Sequence, residues 1–287
     1  MKSKIFLMIC LGCYALGLKA QILPVIGQIP PVMIQMAPDK PLHPPVFEGM
    51  VIDTVPLFFN DLPLNLVKYS YGKPNINFLA IHDDEDTGIK AAFEYIRYSG
   101  GSIIDCQYGS VRNFKFHYND EEFQTDPNSI YTIPGIIRNL EKYNWAEPEV
   151  VKQLDFTGKE ILKLYGPEKP PYIFTLHNNG DGGFGIASYL KGYELEQFAD
   201  SLHINFQMDN DDMVLVTNVD MFNYLKKENV NVVLQSENAP DDGSLSYYAM
   251  QKGIPYVNVE VQHGHITEHL QLIEITIKAL KETLGLR

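Results

Sequence analysis

The chain has 287 residues, 45% of them hydrophobic, and its 23 basic and 36 acidic side chains give a formal net charge of −13. This charge argues against nucleic acid or anionic lipid as a partner. The 17 tyrosines and 15 phenylalanines are typical of a packed globular body, and the length suits one large or two small domains.

The first twenty residues have the pattern of a signal peptide. Lys2 and Lys4 precede an apolar run from Ile5 to Leu18, and Ala20 provides a small residue before the expected cleavage ahead of Gln21. The apolar run is too short for a comfortable membrane span. We therefore expect residues 1–20 to be removed on export and the protein to be secreted or periplasmic.

The cysteines indicate how the exported protein is stabilised. Cys13 follows Gly12 as in a lipoprotein signal, but Cys10 stands where an aliphatic residue is expected, so cleavage is favoured over a lipid anchor. Only Cys106 then remains, which excludes an internal disulfide. Stability must come from a hydrophobic core.

Proline recurs through residues 21–73, which disfavours regular helix. We expect an extended arm that packs its apolar residues on the body of the protein, with a disordered linker as the alternative. The catalytic domain is then expected at residues 74–287.

From residue 74 onward, strand-like and helix-like patterns alternate. The predicted strands are 76–81, 102–108, 113–118, 172–176, 186–190, 213–217, 230–235 and 256–261. The predicted helices are 87–98, 133–143, 148–164, 194–201, 221–227, 244–252 and 266–284. This alternation predicts an α/β fold, a three-layer sandwich with a mixed, largely parallel central sheet, whose functional groups gather at the carboxyl ends of strands.

Two of these strands end in candidate metal ligands. His82 and Glu85 form a His-x-x-Glu motif directly after one strand, and His177 ends another. Two histidines and a glutamate with an open fourth position make a hydrolytic zinc site, so we predict zinc at these three residues. Three neighbouring carboxylates, Asp83, Asp84 and Asp86, are candidates for orienting an imidazole, and Asp84 is an alternative ligand to Glu85. A solvated loop is the alternative to any metal site.

A zinc hydrolase also needs a general base. Glu260 lies within the apolar strand 256–261, where burial would raise its pKa toward the working range. An exposed glutamate on an edge strand is the alternative, and Glu237 is the rival base. His263 and His265 follow the same strand, and their spacing leaves their roles open.

Further polar residues are candidates for contacting the substrate. Arg112 lies in a glycine-containing turn and is nominated to stabilise the oxyanion, a surface arginine being the alternative. Asn128 lies in a turn, and Asn178 and Asn179 directly follow a predicted metal ligand. We predict that these three asparagines bind substrate.

Taken together, these motifs resemble the zinc carboxypeptidase superfamily, including its succinylglutamate desuccinylase and aspartoacylase branch. The elements that carry the resemblance, in chain order, are His82-Asp83-Asp84-Glu85, Arg112 ahead of Asp126-Pro127-Asn128, Leu176-His177 and Glu260. They span roughly residues 76–265. The resemblance implies a zinc-carboxypeptidase-like fold and zinc-dependent cleavage of a peptide or amide bond.

Two features of the sequence bear on the substrate. Ser129 stands where the family has an arginine that grips the substrate carboxylate, and serine cannot supply that bidentate bond. The segments 175–179 and 257–260 are also similar to zinc-dependent N-acetylmuramoyl-L-alanine amidases, although the second ligand of those enzymes normally stands well away from the first histidine. We expect an exported hydrolase acting on a small peptide, an acylated amino acid or a peptidoglycan-derived amide. The alternatives are a cell-wall amidase and a non-catalytic binding protein that retains the fold.

Overall fold

The computed structural model describes residues 46–286 of the chain. They form a nine-stranded mixed sheet with helices on both faces. The predicted signal peptide (1–20), Cys13 and the first part of the proline-rich arm (21–45) lie outside the described residues. The strands are β1 Val51–Phe59, β2 Leu62–Tyr71, β3 Asn77–Ala80, β4 Gly101–Gln107, β5 Phe114–Tyr118, β6 Glu121–Thr125, β7 Ile173–Asn179, β8 Ala199–His203, β9 Met213–Val216, β10 Val232–Gln235 and β11 Tyr256–Gln262. The helices are α1 Asp86–Ser99, α2 Ile133–Leu140, α3 Pro148–Tyr165, α4 Val219–Lys227, α5 Leu245–Gln251 and α6 Ile266–Leu284.

The strands of the main sheet run in the order β1-β2-β4-β3-β7-β11-β9-β10-β8, and β5 and β6 form a separate hairpin. The four central strands β4, β3, β7 and β11 are mutually parallel, as are β9 and β10, whereas both edges are antiparallel. The predicted mixed sheet with a parallel centre is therefore confirmed.

Two hydrophobic cores, one on each face of the sheet, make the fold a three-layer sandwich. One core contains apolar side chains of α1, α4 and α6, and the other contains those of α2, α3 and α5. The central strands are buried on both faces, which explains their nearly continuous apolar sequences. Among residues 46–286, no helix combines the length and apolar character needed to cross a bilayer.

Local signals explain where several helices begin. Thr132, Asn218 and Ser244 are N-cap residues whose side-chain oxygens accept backbone N–H groups of the first turn of α2, α4 and α5. Pro148 occupies the first turn of α3, where a missing N–H costs nothing. Pro148 and Ser244 are also the first residues of the helices predicted at 148–164 and 244–252.

The sheet begins earlier than the predicted domain boundary at residue 74. β1 and β2 pair along their length, and β2 pairs with β4, so residues 51–71 belong to the body and not to an arm. The prolines that suggested an arm are compatible with these strands, because Pro56 lies on the edge strand and Pro63 near the start of β2.

Two predicted elements differ from the structure. The strand predicted at 186–190 is a 3-10 turn, Ile186–Tyr189, which brings its first and last side chains onto one buried face. The helix predicted at 194–201 is a 3-10 turn followed by β8, which pairs with β10 at the sheet edge. In both places pairing and packing with distant segments overrode the local pattern.

Candidate metal site

The fold brings three functional strands to one edge of the sheet. β3, β7 and β11 are parallel neighbours, so their carboxyl ends meet at the same edge. His82 follows β3 by two residues, while His177 in β7 lies directly beside Glu260 in β11. Because paired residues of adjacent strands point to the same face about 4.8 Å apart, His177 and Glu260 share one side of the sheet.

His82, Glu85 and His177 converge as predicted. The Nδ1 atom of His82 lies 2.9 Å from Glu85 Oε1 and 3.0 Å from His177 Nδ1, and His177 Nδ1 lies 2.8 Å from Glu85 Oε2. All three side chains are buried. One ligand atom from each residue lies within 4.8 Å of the others, so the group can hold a metal ion.

The donor set fits a zinc ion. Two ligands at about 2.05 Å from a tetrahedral zinc are about 3.3 Å apart. The two imidazole nitrogens lie 3.0 Å apart, and each lies 2.8–2.9 Å from one of the two carboxylate oxygens of Glu85, so these separations are only a few tenths of an ångström shorter. Two imidazoles and one carboxylate match the ligands of catalytic zinc sites, whereas magnesium and calcium favour oxygen alone.

Asp126 orients the first histidine. Its Oδ1 atom lies 2.8 Å from His82 Nε2, the ring nitrogen opposite the one that faces the other ligands. A carboxylate behind a ligand imidazole fixes the tautomer and makes the nitrogen a better donor. From the sequence, Asp126 was identified only as part of the Asp126-Pro127-Asn128 element, without this role.

The charges of the group shift the pKa values in opposite directions. Burial lowers the pKa of His82, but the charges of Glu85 and Asp126 outweigh it and raise the pKa to about 10. Burial raises the pKa of Glu85, but the two histidines hold it well below its usual range. For His177 burial prevails, and its pKa is lowered. The charge of Glu85 therefore faces two positive groups, His82 and the guanidinium of Arg112.

Glu260 is buried in β11, with 6% of its surface exposed, and its Oε2 accepts a hydrogen bond from Asn258 Nδ2 at 3.2 Å. Burial, followed by the charge of Glu85, raises its pKa to about 8. A glutamate with this pKa holds and releases protons near neutral pH, as a general base requires. A bound cation would lower the pKa by attracting the ionised form.

Arg112 reaches the same group from the loop after β4. Its guanidinium contacts Glu85 Oε1 and lies 3.7 Å from Asp126 Oδ2, while half of the side chain stays exposed. The loop is held by Asp83, whose carboxylate accepts the N–H groups of Tyr108 and Ser110 at 2.5 and 2.7 Å. Asp83 therefore orients the loop that carries Arg112.

A cavity of about 480 Å³ opens over these residues, a volume typical of small-molecule sites. Its lining combines the metal group with polar and apolar side chains. The lining residues are His82, Arg112, Asn128, His177, Asn178, Asn179, Gly180, Phe184, Tyr189, Leu195, Phe198, Leu215, Gln235, Asp242, Ser244, Ser246, Tyr256, Asn258 and Glu260.

The three asparagines predicted to bind substrate line this cavity but also support the fold. Asn128 Oδ1 accepts the N–H of Leu245 at 3.2 Å. Asn178 Oδ1 accepts the N–H of Thr87 at 3.1 Å, and its own N–H donates to Glu85. Asn179 Nδ2 donates to a backbone carbonyl at 2.8 Å. Their contact with substrate stays a prediction.

The alternative site residues lie elsewhere. Asp84 and Glu237 are exposed, and neither lines the cavity. His263 has 63% of its side chain exposed and lies 3.8 Å from Asp86. His265 Nδ1 lies 3.1 Å from Asp212 Oδ2 outside the cavity lining. Among the residues that the structure describes, Glu85 and Glu260 therefore have the better geometry for ligand and base.

Comparison with known proteins gives weak likenesses. No family model matches the sequence, and no curated protein matches it. A structure of a "putative metallopeptidase" from Shewanella denitrificans OS217 superposes with a TM-score of 0.41 and 11% identity, covering 82% of this chain and 85% of that protein. Apo Cell Shape Determinant protein Csd4 from Helicobacter pylori gives a TM-score of 0.40 and 13% identity over 75% of this chain. The mDAP-bound form of Csd4, a D,L-carboxypeptidase, gives 0.39 and 12% over the same share.

The chain spans about half the length of Csd4, 51% in both forms. At TM-scores of 0.41 and below these likenesses carry no functional inference. Membership of the zinc carboxypeptidase superfamily stays a hypothesis.

Proposed function

We propose that this protein is a zinc-dependent hydrolase that cleaves a peptide or amide bond. The observation that carries the proposal is the convergence of His82, Glu85 and His177 within a buried group beneath an open cavity. The two imidazoles and the carboxylate would hold the zinc ion. When bound, zinc would lower the pKa of water and polarise the amide carbonyl.

The chain's own residues supply the remaining chemistry. Glu260, beside His177 in the sheet, takes a proton from the attacking water and passes it to the leaving amine as the carbon–nitrogen bond breaks. Arg112 places a positive charge near the negative oxygen that develops on the carbonyl. Asp126 keeps His82 in position throughout.

The cavity suits a small peptide, an acylated amino acid or a peptidoglycan-derived amide. Export belongs to the proposal too, since it depends on the signal pattern in residues 1–20. A periplasmic or secreted location would bring the enzyme to such substrates.

The test combines metal analysis with a substrate panel. Purified protein is assayed for zinc by mass spectrometry and for zinc-dependent amine release from short peptides, acylated amino acids and peptidoglycan fragments. We expect Glu260→Gln to retain zinc but to lose at least about 100-fold in kcat. Glu237→Gln, which removes an exposed carboxylate, is the matched control and retains activity.

Each other outcome contradicts a specific part of the proposal. Failure of zinc to bind would refute the metal assignment. Zinc binding without turnover on any amide would favour the non-catalytic binding protein. Full activity of Glu260→Gln would show that another group is the base. Cleavage confined to the bond between the muramoyl group and L-alanine would select the cell-wall amidase.

A further inference from the structure

One wall of the cavity is built for polar recognition away from the metal group. This α5 wall consists of Gln235, Asp242, Ser244 and Ser246, which come from the end of β10 and the start of α5. It adds a carboxylate, an amide and two hydroxyls to the cavity. The mechanism proposed above uses none of them.

Asp242 is held in place by a rigid turn. Its Oδ1 accepts the N–H of Ser244 at 2.9 Å, and within the described residues Oδ2 has no hydrogen-bond or ion-pair partner. The next residue, Gly243, has φ +81°, and a Cβ at this position would lie 2.5 Å from the carbonyl of Ser129. The Gly243 carbonyl in turn accepts the N–H of Tyr131 at 3.0 Å. The carboxylate is therefore preorganised, and little ordering is needed on binding.

Asp242 has no cationic partner among the described residues that line the cavity. Arg112 is the one lysine or arginine of that lining, and its guanidinium is already engaged by Glu85 and Asp126. His82, whose raised pKa makes it the second cation, faces the same two carboxylates. Both lining cations are therefore matched by other carboxylates, which leaves Asp242 to pair with a cation of the substrate.

A substrate carboxylate would be poorly received at this wall. It would meet the like charge of Asp242. A protonated amine would instead form a charge-assisted hydrogen bond with Asp242 Oδ2, with amide and hydroxyl oxygens beside it. Both the charge and the donor–acceptor pattern favour a cation.

We propose that the α5 wall binds a protonated amine of the substrate, so that the preferred amides carry a lysine- or ornithine-like side chain. This inference rests on the proposed hydrolase function and adds the substrate class. Asp242 acts as a residue that determines specificity, not as a catalytic residue. Asp242 is half-buried, and its carboxylate would lose water to the bound substrate without gaining a positive partner from a neutral analogue, which disfavours that analogue.

The test compares matched peptides on the zinc-loaded protein. Acetyl-alanyl-lysine amide and acetyl-alanyl-norleucine amide differ mainly in the ammonium group. We expect kcat/KM to favour the lysine peptide by about tenfold or more, and Asp242→Asn to reduce this preference to within about twofold. Asparagine keeps the Oδ1 acceptor for Ser244, so the turn is preserved. Glu237→Gln removes an exposed carboxylate and should keep the preference.

The outcomes separate this inference from the proposed function. Cleavage with no preference for lysine, or a preference that survives in Asp242→Asn, would overturn the amine site while leaving the hydrolase intact. If neither peptide is cleaved, calorimetric binding of both peptides to the zinc-loaded protein decides. Lysine-selective binding that Asp242→Asn weakens by about tenfold supports the site, and its absence refutes it.

Discussion

Replacing Glu260 with glutamine should change the stability of the metal-free protein in a pH-dependent way. Burial and the neighbouring Glu85 raise the pKa of Glu260 from 4.5 to about 8 in the folded state. Because the folded-state pKa is the higher one, the native protein holds this proton more tightly than the unfolded chain. The stabilisation is complete below the unfolded pKa and is lost as the pH rises through about 8.

The size of the effect follows from these two pKa values. Between about pH 5 and about pH 9, a shift from 4.5 to about 8 costs the wild type about 4 kcal/mol of unfolding free energy. Glutamine keeps the shape and can still accept the hydrogen bond from Asn258, but it does not titrate. The variant should therefore gain about 4 kcal/mol relative to wild type over this range.

Urea unfolding in the presence of a chelator measures the difference at several pH values. Taking the difference between variant and wild type removes the titration of other groups, including His82, as long as they keep the same environment. Glu237→Gln is the control, and because its side chain is exposed we expect a flat difference. A flat difference for Glu260→Gln, or one that shrinks as the pH rises, would refute the assignment of Glu260 as a buried carboxyl group that stays protonated near neutral pH.

Three further substitutions test other parts of the structure. His177→Ala removes a ligand, so zinc should no longer raise the melting temperature; an undiminished rise would refute the ligand set. Asp126→Asn should weaken zinc binding by about 10- to 100-fold in a chelator competition, and unchanged affinity would show that this carboxylate does not support the first histidine. Gly135→Ala would place a Cβ 2.0 Å from the Cα of Gly243 and should cost about 3 kcal/mol in urea unfolding. Gly180→Ala meets nothing within 4 Å and is its control, and equal losses in the two variants would contradict the close packing.

Most strands and helices from residue 76 onward could be predicted because their signals are local. Apolar runs marked the buried strands, and Pro148 and Ser244 stand at the start of two predicted helices. The carboxyl-end rule for parallel sheets then placed His82, His177 and Glu260 at one edge. The structure confirms that His82, Glu85 and His177 meet.

Features that depend on contacts across the chain were not visible in the sequence. The strands at 51–71 carry prolines that mimic an arm, and only their pairing in the sheet shows their role. Residues 186–190 have the composition of a strand, yet packing winds Ile186–Tyr189 into a 3-10 turn. Such choices follow from partners more than a dozen residues away, which local propensity does not describe.

The same distinction applies to the site. The types of metal ligand follow from motifs a few residues long, since zinc chemistry requires imidazole and carboxylate side chains in any fold. The orienting carboxylate of Asp126, 44 residues from His82, and the α5 wall around Asp242 come from loops that meet only when the sheet and helices pack. The types of metal ligand could therefore be identified from short segments of the sequence. The orientation of those ligands and the specificity for substrate depend on the distances that folding sets between the segments.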